Sequence, residues 1–269
     1  MSKFLKSKEE LIKSELEFLV KKGLTAKEIS ENLNISKTTV HRYCNKLNIK
    51  IPNYHNMLKF DNTVFDIINT EEKAYWLGFL YADGNVGTNS NIVSISLSRK
   101  DIEHLNKFNK FLKNTANVRK TITRTNNKEY ETCNIAVCDK HLKEQLISLG
   151  CYPKKSLILK FPKKEIFENE NLIYDFIRGY VDGDGCLTFS RNGRLALSII
   201  GTYEFLQGIV NIFPQQFTKV KKLKRLKTNV YTISNCGTNA DYVTKILYEN
   251  ANIYLQRKYD RFAVLCRNI

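Results

Sequence analysis

Two stretches decide the fold: EKAYWLGFLYADG at Glu72–Gly84 and IYDFIRGYVDGDG at Ile173–Gly185. Each reads as an amphipathic helix that stops at an acid followed by glycine. Gly78 and Ala82 stand four apart in the first stretch, Gly179 and Gly183 in the second, so each pair shares one helix face. With no large side chain on that face, two helix backbones can approach closely. Asp83 and Asp184 come next, each one residue before a helix-ending glycine. The pattern predicts that the two helices pack side by side and parallel and deliver both aspartates to one point. Such an arrangement is electrostatically poor by itself. A carboxylate opposes the dipole at a helix C-terminus, and two neighbouring carboxylates repel. A divalent cation would relieve both penalties, and a site of that kind suits phosphodiester chemistry.

The sequence around each stretch has the same order. After the first come an alternating strand (Asn91–Leu97), a helix opened by Arg99-Lys100-Asp101 and running to Leu112, and a hairpin of NVRKTITRT (Asn117–Thr125) with YETCNIAVC (Tyr130–Cys138). A helix over Asp139–Leu149, Lys154-Lys155-Ser156 and a strand-like LILKFP follow. After the second stretch come strands at Cys186–Ser190 and Leu195–Gly201, a helix over Tyr203–Ile212, a basic hairpin over Thr218–Ser234 and a helix over Ala240–Tyr248. The chain closes on a basic helical segment, ANIYLQRKYDRFAVLCR. This is one internal repeat with a period of about 100 residues. It predicts an α+β body of two pseudo-twofold halves, each helix-strand-strand-helix-strand-strand-helix, over residues 71–162 and 163–269. The strand order is left open.

WLGFLYADG (Trp76–Gly84) and IRGYVDGDG (Ile177–Gly185), with the matching order of elements behind each, resemble the paired motifs of LAGLIDADG homing endonucleases from residue 71 to the C-terminus. Trp76, Tyr81, Ile177 and Arg178 depart from the family pattern, and both final acids are retained. The resemblance implies a saddle that binds double-stranded DNA over a long asymmetric site and cuts both strands as a monomer. It implies Mg²⁺, or another divalent cation such as Mn²⁺, held by Asp83 and Asp184 and by the backbone carbonyls of Ala82 and Gly183. It also implies a basic residue late in each half, near the scissile phosphates. Lys155 and Lys258 hold comparable places, at nearly equal intervals after Asp83 and Asp184, with Lys154 and Arg257 as neighbouring candidates. Asp182 has Tyr81 at its matching position and is read as a packing or surface residue.

A two-stranded ribbon fits a major groove, so the hairpins are the expected recognition surface. Lys221, Lys222, Lys224, Arg225 and Lys227 are dense in the second hairpin, with Lys219 beside them. In the first, Arg119, Thr121 and Thr123 share one face, and Lys120, Ile122 and Arg124 share the other. The all-polar Arg119 face is the favoured one.

The N-terminal stretch is a separate module. Glu9–Lys22 has helical spacing and ends at Gly23. Thr25 and Glu28 form a capping box for a second helix, and Ser36 caps a third with Val40, Tyr43 and Leu47 inward. Residues 1–50 resemble a helix-turn-helix, whose third helix would carry Lys37, Thr38, Thr39, His41 and Arg42 into a DNA groove. Residues 51–70, with Pro52 and several Asn, read as a linker.

Composition agrees with a polyanion partner. Among 269 residues, 43 Lys and Arg face 27 Asp and Glu, for a net charge of +16. No apolar run is long enough to span a membrane, and no lipidation signal or basic amphipathic helix points to a membrane surface. The charged N-terminus is not a secretory signal, and seven scattered cysteines without a CxxC pair fit a reducing cytoplasm. His41, His55, His104 and His141 form no metal or nucleophile pattern and read as surface or contact residues. The chain starts at Met1 without an obvious protein-splicing junction, which favours a standalone protein over an intein fragment. The leading expectation is a site-specific endonuclease of the intron-homing kind. The alternatives are a non-cutting transcription regulator on the same scaffold and a maturase that binds intron RNA.

Overall fold

A computed structural model describes residues 2–51, 59–125, 128–223 and 230–267. The chain forms two compact units, Met1–Lys59 and Phe60–Ile269. In the first, α1 (Ser2–Lys21), α2 (Ala26–Asn32) and α3 (Lys37–Lys46) enclose a small core of Leu16, Ile29, Val40 and Cys44. Local chemistry sets the ends of the two short helices. The Glu28 backbone N–H donates to Thr25 Oγ1 at 3.3 Å while the Thr25 N–H donates to Glu28 Oε2 at 2.8 Å, and the Thr39 N–H donates to Ser36 Oγ at 3.1 Å.

The second unit is built on two matched halves. The first runs α4 (Glu71–Asp83), β1 (Gly84–Val86), β2 (Ile92–Ser98), α5 (Ile102–Phe111), β3 (Arg119–Thr125), β4 (Lys128–Cys138) and α6 (Lys140–Ser148). The second runs α7 (Leu172–Asp184), β5 (Gly185–Phe189), β6 (Leu195–Gly201), α8 (Tyr203–Ile212), β7 (Lys221–Lys222), β8 (Tyr231–Cys236) and α9 (Thr238–Tyr248), followed by α10 (Gln256–Arg267). Each half folds one antiparallel sheet, ordered β1-β2-β4-β3 and β5-β6-β8-β7. The strands alternate as half-buried strands must. Val93, Ile95, Cys133, Ile135, Leu197, Ile199 and Ile233 enter the core, while Ser94, Ser96, Thr132, Ser198 and Ser234 take the other face. None of the described helices is long and apolar enough to cross a membrane.

Three readings of the sequence are corrected. First, α4 is not amphipathic: every residue from Ala74 to Tyr81 is buried, because the helix lies between its own sheet and α7. Second, LILKFP is not a strand. The chain makes a short 3-10 turn at Lys155–Leu157 and continues without a strand partner, with Leu159 buried and its carbonyl accepting from the Thr202 hydroxyl. Third, the stretch 51–70 is not linker throughout. From Phe60 it belongs to the second unit, where Val64, Phe65 and Ile68 join the core and the Asp61 N–H donates to Leu112 O at 2.7 Å. Ile68 also bridges Phe167 in parallel, just ahead of α4 and α7, so the pseudo-twofold order starts before the helices themselves.

Candidate functional site

The close approach of α4 and α7 positions the site. A Cβ on Gly78 would stand 1.9 Å from Phe176 O, and one on Gly179 would stand 2.0 Å from Tyr75 O, so only glycine lets the two backbones touch. One turn on, a Cβ on Gly183 would lie 2.3 Å from Ala82 Cβ. Contacts rise in step along both helices, which therefore run parallel and end together. Gly84 and Gly185 leave the helices with φ of −71° and −87° and pass straight into β1 and β5. They are not the left-handed caps that a helix-ending glycine suggests. They are needed because a Cβ at either would come within 2.5 Å of a carbonyl of its own helix, Leu80 O or Val181 O.

Both aspartates arrive at this shared end. A Cβ on Gly183 would stand 3.3 Å from Asp83 Oδ2, so Asp83 lies against the residue that precedes Asp184. Burial, and next the Asp184 charge, push the Asp83 carboxyl up to about 6, against the opposing pull of Lys258, Lys155 and Arg257. Burial also raises Asp184. A hydrogen bond from the Tyr180 hydroxyl offsets part of that rise, together with the charges of Lys155 and Lys258. Asp83 is half-buried and Asp184 exposed, and both carboxyls are raised despite the two nearby lysines.

Lys155 and Lys258 converge on equivalent atoms. The Lys155 ammonium donates to Gly84 O and the Lys258 ammonium to Gly185 O at 2.7 Å, the carbonyls just past Asp83 and Asp184. Both lysines are buried. Lys258 donates further to Val181 O at 2.5 Å and Asp182 O at 2.6 Å, which satisfies the orphan carbonyls at the end of α7. Burial brings its pKa down to about 8 despite the nearby Asp182. The neighbouring candidates stand apart from this geometry. Arg257 pairs with Asp101 at 3.2 Å, and Lys154 takes a left-handed turn with φ of 54°.

The available donors are the Asp83 and Asp184 carboxylates and the carbonyls of Ala82 and Gly183, all hard oxygens. Such a set fits Mg²⁺ or Mn²⁺, which keep water and phosphate oxygens as further ligands. Among the described residues no cluster of three or more His, Cys, Asp or Glu side chains offers a complete protein cage. These two acids and the backbone beside them are the protein groups that could hold such an ion.

Sequence reasoning missed a buried polar chain behind the site. Asp182 is fully buried, not a surface acid. Its Oδ2 accepts from Tyr75 Oη at 2.7 Å and from the Leu255 N–H at 2.6 Å, and its Oδ1 accepts from Tyr248 Oη at 2.7 Å. His104, read as a surface or contact residue, is buried too, 3.0 Å from Tyr75 Oη through Nε2. Because the Tyr75 hydroxyl proton goes to Asp182, His104 Nε2 must be the donor. Arg178 clamps the halves: it donates to Glu71 at 2.7 Å, to Asp175 at 2.8 Å and to Ile253 O at 2.9 Å. The sequence signals for these roles were the departure of Arg178 from the family pattern and the mismatch of Asp182 with Tyr81 at its equivalent position.

The expected recognition residues are placed as follows. Arg119, Thr121 and Thr123 are exposed and extend the polar sheet face, Thr121 and Thr123 sharing hydrogen bonds with Thr132 at 2.8 Å and 3.1 Å. Lys120 pairs with Cys133 and so lies on the core-side face. Lys221 opposes Thr232 on the polar face of the second sheet, while Lys222 opposes Tyr231 on the other. Lys224, Arg225 and Lys227 lie outside the described residues, as does His55. On α3, Lys37, Thr38, His41 and Arg42 are exposed. Thr39 is half-buried and its hydroxyl bonds Ser36 Oγ at 2.8 Å, so it serves the helix cap. His141 is half-buried and contacts Asp66 at 2.7 Å.

A parallel helix pair with an acid ending each helix and two four-stranded sheets is a fold that this chain shares with a solved homing endonuclease. The homing endonuclease I-WcaI, bound to its DNA recognition sequence, superposes with a TM-score of 0.50 at 12% identity, over 70% of this chain and 85% of that one. The LAGLIDADG homing endonuclease I-GzeII, in complex with a DNA target, gives 0.46 at 13% identity over 72% and 89%. A double mutant of I-SmaMI gives 0.44 at 12% identity over 72% and 89%. At the N-terminus, residues 12–51 match a helix-turn-helix (HTH) domain family. No curated protein matches the chain in sequence.

Proposed function

We propose that the chain is a site-specific, divalent-metal-dependent DNA endonuclease that cuts both strands of one long site as a monomer. The observation that carries this reading is the matched pair of half-sites. Asp83 with Lys155 and Asp184 with Lys258 meet at the joint end of two parallel helices, each lysine on the carbonyl following its aspartate. A protein that only bound DNA would have no use for two neighbouring carboxylates, Asp83 half-buried and Asp184 exposed, set where they repel each other and the DNA backbone.

The divisions of labour follow from placement. The first half, 71–162, and the second, 163–269, each offer a polar sheet face to a major groove, and the N-terminal module adds α3 to the grip. Asp83 and Asp184, with the carbonyls of Ala82 and Gly183, would hold Mg²⁺ or Mn²⁺. When bound, such an ion supplies Lewis-acid polarisation of phosphate oxygens and a more acidic water. Lys155 would order an attacking water or balance charge that builds on the phosphate, while Lys258, whose three N–H groups go to the Val181, Asp182 and Gly185 carbonyls, would act through its charge. Exposed Arg119, Lys221 and Arg42 position the duplex through its phosphates, while the threonines of β3 can contact base edges.

Selection of cleaved sites from a randomised duplex DNA library with Mg²⁺ tests the reading. Recovery of one long asymmetric sequence, cut on both strands only with divalent metal, is expected. Tight, specific binding without cleavage under any divalent metal would favour a transcription regulator instead.

A further inference from the structure

Tyr81 and Asp182 occupy the same place in their two motifs, two residues before Asp83 and Asp184. Both are buried, and each ties the motif helix to the segment that carries its own half's lysine. In the first half the Tyr81 hydroxyl donates to Leu149 O, where α6 has just ended. The chain then turns at Gly150, whose φ is +95° and where a Cβ would stand 2.2 Å from Tyr81 Oη. Cys151 Sγ adds a contact to Leu80 O at 3.6 Å before the chain reaches Lys155. In the second half Asp182 Oδ2 accepts the Leu255 N–H at 2.6 Å, at the start of α10. Leu255 O in turn accepts from the Lys258 N–H at 2.9 Å.

The chemistry differs because the partners differ. The end of α6 presents an orphan carbonyl and needs a donor, which a phenol supplies. The start of α10 presents an orphan amide at the positive end of a helix dipole and needs an acceptor, which a carboxylate supplies. Opposite polarity therefore reaches one outcome, a lysine set on the carbonyl after the motif aspartate.

We propose that Tyr81 and Asp182 are positioning residues, each fixing the lysine of one half and so governing cleavage of one DNA strand. The proposal rests on the endonuclease reading above. Neither side chain is assigned contact with DNA or metal. Each acts through the backbone that sets Lys155 or Lys258, and displacement of a reacting group by about 1 Å can cost on the order of a hundredfold in rate.

The test uses the full chain, Mg²⁺ and a duplex labelled on both strands that carries the sequence recovered by library selection. Y81F should slow one strand by about tenfold or more and D182N the other, with DNA affinity within about twofold of wild type. Y81F with K155M should slow its strand no further than K155M alone, because both changes act on one lysine. A general loosening of the fold would slow both strands and would add to K155M. If D182N does not fold, the Y81F strand ratio and its cycle with Lys155 decide by themselves. Equal effects on both strands, or additivity with K155M, overturn the proposal. A wild-type chain that cuts no DNA overturns the endonuclease reading, and this proposal with it. Wild-type cutting alongside a normal strand ratio in both variants overturns the positioning role alone.

Discussion

His104 shows how far a single side chain can be shaped by this core. It lies among Trp76, Phe79 and Tyr75, with ring centroids 4.8, 4.8 and 5.7 Å away. Burial holds its pKa down to about 3, aided by the charges of Lys107, Arg257 and Lys258. In the unfolded chain the imidazole titrates near its ordinary value of about 6.5. The folded state therefore binds fewer protons, and the contribution of His104 is full above about pH 6.5 and is lost as pH falls toward 3. Denaturant unfolding at a series of pH values should show stability falling over that window. The fall should be shallower in His104→Gln, whose amide can still donate to Tyr75 but does not titrate. Parallel pH curves for the two proteins would refute this assignment. None of this was visible locally: a histidine at the head of a helix carries no mark of what will cover it. Asp182 is a similar case, since its three partners come from α4, α9 and the start of α10.

At the scale of elements, the helix pair is the feature on which the rest depends. Gly78→Ala places a methyl 1.9 Å from a backbone oxygen, and neither helix can give way without parting the sheets behind them. A loss of about 3 kcal/mol or more is expected in chemical denaturation. A change below about 0.5 kcal/mol would mean that the helices do not pack as described. This pair was legible in the sequence because its signal is local: small residues four apart, then an acid, then glycine. The repeat made it readable twice, and the strands and capped helices around it follow local period and capping chemistry. What stayed hidden depends on partners far along the chain. LILKFP alternates like a strand but finds no strand to pair with. Residues 60–70 carry linker-like polar residues, yet Phe65 and Ile68 are claimed by a core assembled from later helices. Tyr81 looked like a mere departure from the motif until Leu149 was placed above it.

For the whole molecule, a net charge of +16 and exposed basic residues on both sheets and on α3 predict binding dominated by counterion release. Measured DNA affinity should fall linearly on a log–log plot against salt, by at least about tenfold between 50 and 200 mM. An affinity indifferent to salt would remove the phosphate-contact picture. On the proposed function, Asp83 and Asp184 together would hold the divalent cations for two strand cuts. The direct measurement is double-strand cleavage of the selected DNA site with Mg²⁺ by Asp83→Asn and Asp184→Asn, with binding followed in parallel. Each variant is expected to lose double-strand cleavage by about a hundredfold or more, with binding retained. Undiminished double-strand cleavage by either variant would contradict it.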